Sequence, residues 1–246
     1  MTFSLLQGLR VVELGESVSA PYCSKLLADM GAEVVKIERP GVGDQTREYG
    51  PFLNDQPHHE RSGLFLYLNA NKQGVTLDLE TPTGRGILGE LLAKSQVFVH
   101  NLHPLEMDRL GVDYESLRSH NNQLVMASIT PFGLTGPYRN YKAYDINLAA
   151  AGGICEGLGS PDREPLTFGT PEVGYFAAMA AASSIVIALL DGQGQHIDIS
   201  EVESMAGIYN GPEALMAVYQ WRMTRRTGHH ALDFPYPNCI LRCKDG

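Results

Sequence analysis

A chain of 246 residues, 43% hydrophobic and 19% charged, has the balance of a globular protein and can bury one large core or two modest ones. Its formal charge of -9 argues against nucleic acid or an anionic membrane as the main partner, although one local basic pocket for an anionic small molecule stays possible. The segment "RVVELG" (10–15) reads as a short buried strand. "SAPYCSKLLADMG" follows as a helix, with a Ser N-cap candidate, Pro21 in the first turn and Gly31 at its end. "AEVVKIERP" (32–40) is a second strand, stopped by Pro40, and the three together make a βαβ unit with parallel strands.

The alternation continues. "GVTLDLE" (74–80) reads as a strand and residues 81–95 as a helix opened by Thr81 and Pro82. Residues 96–101 form a further strand, "LEMDRLG" and "DYESLRSHN" short helices, and 123–130 a buried strand. A helix of small and apolar residues is expected over 175–190, then a strand in "GQHIDIS" and a long helix from Glu201, bent or interrupted at 207–212. This order predicts an α/β domain with a mostly parallel sheet covered on both faces. Ligands of such sheets sit beyond the carboxyl ends of the strands, here the loops at 15–22, 38–47, 100–109 and 130–145.

The apolar stretch 176–190 is shorter than the roughly 20 residues of a bilayer span, and "MTFSLLQGLRVVELG" has no signal-peptide pattern, so no membrane partner is expected. Cysteines scattered at 23, 155, 239 and 243 fit a reducing cytoplasm. Cys239 and Cys243 lack the second pair or the histidines that a metal site needs. Arg39, Arg47, Arg109, Lys142 and Tyr144 all follow strand ends, so they can converge on phosphates, although each alone reads as a solvated surface residue. No GxGxxG or P-loop occurs, Ser17 and Ser19 lack a nucleophile elbow, and His58-His59 and His229-His230 read as exposed turns. Glu201 and Glu203 near a helix start are explained by the helix dipole.

The runs "LQGLRVVELG", "APYCSKLLADMGAEVVKIERPGVGDQTR", "NANKQGVTLDLETPTGR", "MDRLGVDYESLR", "GLTGPY", "GQGQHIDIS" and "YPNCILRCKDG" resemble the family III CoA-transferases (the CaiB/BaiF family) in the family's order. The resemblance implies a Rossmann-like large domain over 1–225, the beginning of a small domain at 226–246, and an interlinked homo- or heterodimer. Family chains are longer, so a C-terminal truncation is expected. The substrates would be coenzyme A, as an acyl-CoA, and a carboxylic acid, with no metal. The nucleotide part of CoA would lie against Arg39, Leu77, Asn101, Arg109, Lys142 and Tyr144.

Two positions depart from the family pattern. Glu80 stands where a lysine often follows "LDL" and would contribute nothing to phosphate binding. Gly174 stands at the loop-to-helix junction, five residues past Gly169, where the family carries a nucleophilic aspartate. In the family that carboxylate attacks the thioester to give a mixed anhydride, and the freed CoA thiolate then attacks the anhydride to make an aspartyl-CoA thioester and release the acid. Glu172, two residues earlier, is the nearest substitute in sequence. The alternative is a non-catalytic CoA-binding subunit whose partner carries the aspartate.

Overall fold

A computed structural model describes residues 4–209 and 243–245. The remainder of the expected small-domain start, the helix beyond Tyr209, His229-His230 and Cys239 lie outside the described residues. The first unit is β1 (Arg10–Leu14), α1 (Ser19–Asp29) and β2 (Glu33–Glu38), as the sequence predicts. It is followed by α2 (Gly63–Leu68), β3 (Lys72–Thr76), α3 (Pro82–Leu92), β4 (Val97–His100), α4 (Pro104–Leu110) and α5 (Tyr114–Arg118). The last described elements are β5 (Val125–Thr130), α6 (Asp145–Ala151), α7 (Ile154–Gly157), α8 (Glu172–Asp191), β6 (Gln195–Ser200) and α9 (Glu201–Tyr209).

Among the described residues the strands form one sheet in the order β3-β2-β1-β4-β5-β6, and each neighbouring pair is parallel. This is the doubly wound Rossmann order, whose direction reverses between β1 and β4. Period-2 alternation feeds two cores. Val11, Val97, Val99, Val125, Ala127 and Ile129 face α1 and α8, while Val12, Phe98 and Met126 face α3, α4 and α5. A third cluster joins α6, α7, α9 and the start of α8.

Local chemistry accounts for most boundaries. Thr81 caps α3 by accepting from the Gly84 amide at 3.0 Å, with Pro82 in the first turn. Asp113 does the same for α5 through Ser116. The Ser19 expectation is corrected: Val18 occupies the α1 cap position without a side-chain hydrogen bond, and Ser19 is the first helical residue. The strand expected at 74–80 is shifted to Lys72–Thr76, because Leu77 and Leu79 leave the sheet edge and pack into the α3–α5 core. Helix α8, at 20 residues, is long and apolar enough to cross a membrane, whereas the sequence reading made it shorter. It packs along α1, β5, β6 and α9, with buried alanines at 177, 178, 181 and 182 allowing close approach.

Candidate functional site

The β1/β4 reversal opens a cleft of about 270 Å³ at the carboxyl ends of the strands. Its floor is made by the β1 and β4 loops, tied together by one side chain. Asn101 Oδ1 accepts from the Glu16 amide at 3.0 Å, and its Nδ2 donates to the Glu16 carbonyl at 2.7 Å and to Ser19 Oγ at 3.1 Å. The loops approach so closely that a Cβ on Gly15 would lie 2.5 Å from Ala20 Cβ and 2.8 Å from Asn101 Oδ1. Glycine is therefore required there by space.

Arg39, Leu77, Asn101 and Arg109 all line this cleft. Lys142 and Tyr144, on the loop after β5, are exposed and do not line it. Arg47, grouped with the strand-end cations by sequence, is bound elsewhere. Its guanidinium meets both Glu38 oxygens at 2.8 and 2.9 Å and lies 3.6 Å from the Phe65 ring centre, so it braces the β2 loop. The two lining arginines have carboxylate partners of their own: Arg39 pairs with Glu16, and Arg109 meets both oxygens of Glu80 at 2.5 and 2.7 Å. These pairs hold both guanidinium pKa values above their ordinary range, through the hydrogen bonds first.

His103 supplies a further polar group that the sequence reading did not single out. Its Nδ1 accepts from the Leu105 amide at 3.3 Å, so a neutral ring carries its proton on Nε2. That Nε2 is a buried donor without a protein partner, on a residue lining the cleft.

Beneath the cleft lies a charged network inside the sheet. Glu13 of β1 meets Lys36 of β2 at 2.7 Å and Lys72 of β3 at 2.8 Å, and Lys36 also meets Asp44 at 2.8 Å. Ser24 Oγ donates to Glu13 at 2.6 Å, and Lys36 Nζ donates to the Gly15 carbonyl at 2.9 Å. Burial alone would raise the Glu13 pKa, but the two lysines outweigh it and hold the carboxyl at about 2. Burial takes Lys72 down to about 8, with Lys36 adding to this and Glu13 opposing it. The network fixes where β1 and β2 release their loops. Charged residues inside otherwise apolar strands ("VVEL", "VVKIE") were its signal in the sequence.

A second network crosses β4, β5 and β6. His100 Nδ1 accepts from the Leu102 amide, so its Nε2–H donates to Ser128 Oγ at 2.6 Å. The Ser128 proton then points to His196 Nε2 at 2.8 Å. Burial first, and then His196, push the His100 pKa down to about 3, so the ring stays neutral.

The starts of α1, α6, α8 and α9 converge beside position 174. Helix α8 begins at Glu172, three residues earlier than expected, so Gly174 lies inside its first turn and is buried. A Cβ there would be 3.0 Å from Val18 Cβ and 3.5 Å from the Ser19 amide nitrogen. Residues two apart on a helix project about 200° from each other, so Glu172 leaves on nearly the opposite side from residue 174. Glu172 accepts from the Thr170 hydroxyl and does not line the cleft. Asp145 accepts from the Val173 amide at 3.2 Å, and burial raises its pKa. Burial likewise raises Glu201 to about 7, against a hydrogen bond from Ser19 and with help from Asp145. No group of three or more His, Cys, Asp or Glu that could hold a metal occurs among the described residues.

Comparison with known proteins adds four findings. The family model for CoA-transferase family III matches residues 6–246. The succinyl-CoA–D-citramalate CoA-transferase of Chloroflexus aurantiacus is 38% identical, over 98% of this chain and 60% of its own. The succinyl-CoA–L-malate CoA-transferase beta subunit of the same organism is 32% identical, again over 98% and 60%. Among solved structures, a CAIB/BAIF family protein from Brucella suis superposes with a TM-score of 0.87 at 34% identity, covering 98% of this chain and 64% of that one. The chain thus spans about three fifths of the length of the proteins it matches.

Proposed function

Because this chain belongs to CoA-transferase family III, we propose that it serves the transfer of CoA between an acyl-CoA and a carboxylic acid, with the nucleotide end of CoA in the β1/β4 cleft. The observation behind this is the gathering of Arg39, Leu77, Asn101 and Arg109 around one cleft, whose lining also includes His103. A phosphate-rich ligand on an acidic protein needs such local donors. Lys142 and Tyr144 are assigned to the outer part of the long CoA molecule, beyond the cleft. The assembly is proposed to be an interlinked homo- or heterodimer in the cytoplasm. The scattered cysteines support that compartment, and the relative named as a beta subunit supports heteromeric assembly. Calorimetry of CoA on the full-length chain tests the cleft: Arg39→Ala and Arg109→Ala should each weaken binding about tenfold, through loss of a charged hydrogen bond. Unchanged affinity in folded variants would remove the site.

A second reading is favoured by position 174. Glycine cannot be a nucleophile, and Glu172 projects away from it. We therefore assign this chain as the CoA-binding subunit of a pair whose other member carries the aspartate. The full-length protein alone should transfer CoA at background rate and yield no hydroxylamine-trapped adduct. Adding an Asp-bearing paralogue should give activity that survives Glu172→Gln here. Turnover by the protein alone, abolished by Glu172→Gln without unfolding, would return the catalytic role to Glu172.

A further inference from the structure

The cleft proposed for a phosphate-rich ligand is lined by six carboxylate side chains and two arginines. Two of the carboxylates are occupied by cations below or beside the site, Glu38 by Arg47 and Asp44 by Lys36. Glu16, Asp78, Glu80 and Glu106 remain, facing Arg39 and Arg109. Glu80 occupies both arms of Arg109, at 2.5 and 2.7 Å, while Glu106 stands 3.9 Å from the same guanidinium. Arg39 and Arg85 also act on Glu80, so it sits within the positive field at the mouth.

A carboxylate and a phosphate offer a guanidinium the same pair of oxygens. Both cannot occupy the same fork. Arg109 and Glu80 are 53% and 64% exposed, so their pair is screened by water and open to exchange. Resting on the CoA reading above, we propose that Glu80 is an internal competitor for the phosphate-binding fork of Arg109. While the cleft is empty it holds the guanidinium in its bidentate orientation. When CoA arrives, a phosphate displaces the carboxylate from the fork. Glu80 therefore sets how tightly the cleft retains CoA.

CoA titrations by calorimetry on the full-length chain at low ionic strength, with circular dichroism to check folding, test this. Glu80→Gln and Glu80→Ala should each tighten CoA binding about threefold or more, and Arg109→Ala should weaken it. In the Arg109→Ala background, either change at Glu80 should alter affinity less than about twofold. Added salt should shrink the gain, because it screens the Glu80–Arg109 attraction that a phosphate must overcome. Equal tightening with and without Arg109 would overturn the proposal, leaving only a general effect of negative charge. Unchanged or weaker binding by both Glu80 variants, with Arg109→Ala still damaging, would overturn it while the CoA site stands. No effect of Arg109→Ala would overturn the site and the proposal together.

Discussion

Val18 stands where a side chain on residue 174 would have to go, its Cβ 3.0 Å from the position of a Cβ on Gly174. Val18 is itself buried at the α1 cap. Alanine at 174 gains about 1 kcal/mol of helix propensity over glycine but meets overpacking of roughly 1–3 kcal/mol. Overpacking wins, so Gly174→Ala should lower stability by about 1 kcal/mol in urea denaturation. In a Val18→Ala background the same change should become neutral or stabilising. A stabilising effect in the native background would mean that Val18 yields freely. Placing an aspartate at 174 thus calls for Gly174→Asp together with Val18→Ala.

The Glu13 network predicts a specific acid sensitivity. A carboxyl at about 2 in the folded chain and 4.5 when unfolded contributes stability that is fully present above pH 4.5. It is lost as pH falls from 4.5 towards 2, a change of about 3 kcal/mol by linkage. Glu13→Gln should cost about 3–5 kcal/mol at neutrality, because Lys36 and Lys72 lose their shared partner, and should flatten the acid limb. Denaturant midpoints across pH 2–7 check this. An unaltered slope in the variant would show that other carboxylates dominate the acid limb.

Glu201 behaves with the opposite sign. Its folded pKa of about 7 lies above the ordinary 4.5, so its contribution is fully present below pH 4.5 and lost as pH rises through 7. Glu201→Gln removes the ionisation. Relative to the native chain, the variant should gain stability between pH 4.5 and 8. Parallel stability curves over that window would place the titration elsewhere.

Gly15→Ala should close the cleft floor. A methyl group there would sit 2.5 Å from Ala20 Cβ, far inside contact distance, so about 3 kcal/mol or more of stability should be lost. The Asn101 bridge should loosen with it, and CoA binding should fall further than in Arg109→Ala. Ala20→Gly should recover part of the stability in the double variant. Native stability in Gly15→Ala would mean that the β1 loop can withdraw from Asn101.

The sheet was legible because β1, β4 and β5 are short apolar runs bounded by turn residues, and such runs in alternation with helices have few parallel solutions. β3 was misread by two residues at its start and four at its end, since it is an edge strand of polar and small residues, "KQGVT", whose neighbours Leu77 and Leu79 mimic strand alternation. α2 and α6 went unnoticed: six and seven residues carry too little periodicity, and the Ser62 cap on α2 was the available signal. Of the residues named by the rule for strand ends, Arg39 and Arg109 line the cleft, since a parallel sheet brings such ends together whatever their sequence distance, while Leu77 and Asn101 came from the family resemblance alone. The rule had no access to the Glu16 and Glu80 pairs, which join residues 23 and 29 positions apart. Pairings of that kind depend on side-chain direction after folding.

The Asn101 bridge also orders events in the life of the chain. It closes contacts between residues 85 positions apart, across the seam where β4 docks beside β1. A nascent chain that has emerged only through β3 can pair β1, β2 and β3, yet the floor of the cleft is still unmade. A ligand held across the seam can stabilise only molecules in which β4 is already seated. A ligand bound in this cleft would thus favour completed sheets over partial ones and leave the early βαβ unit to form unaided.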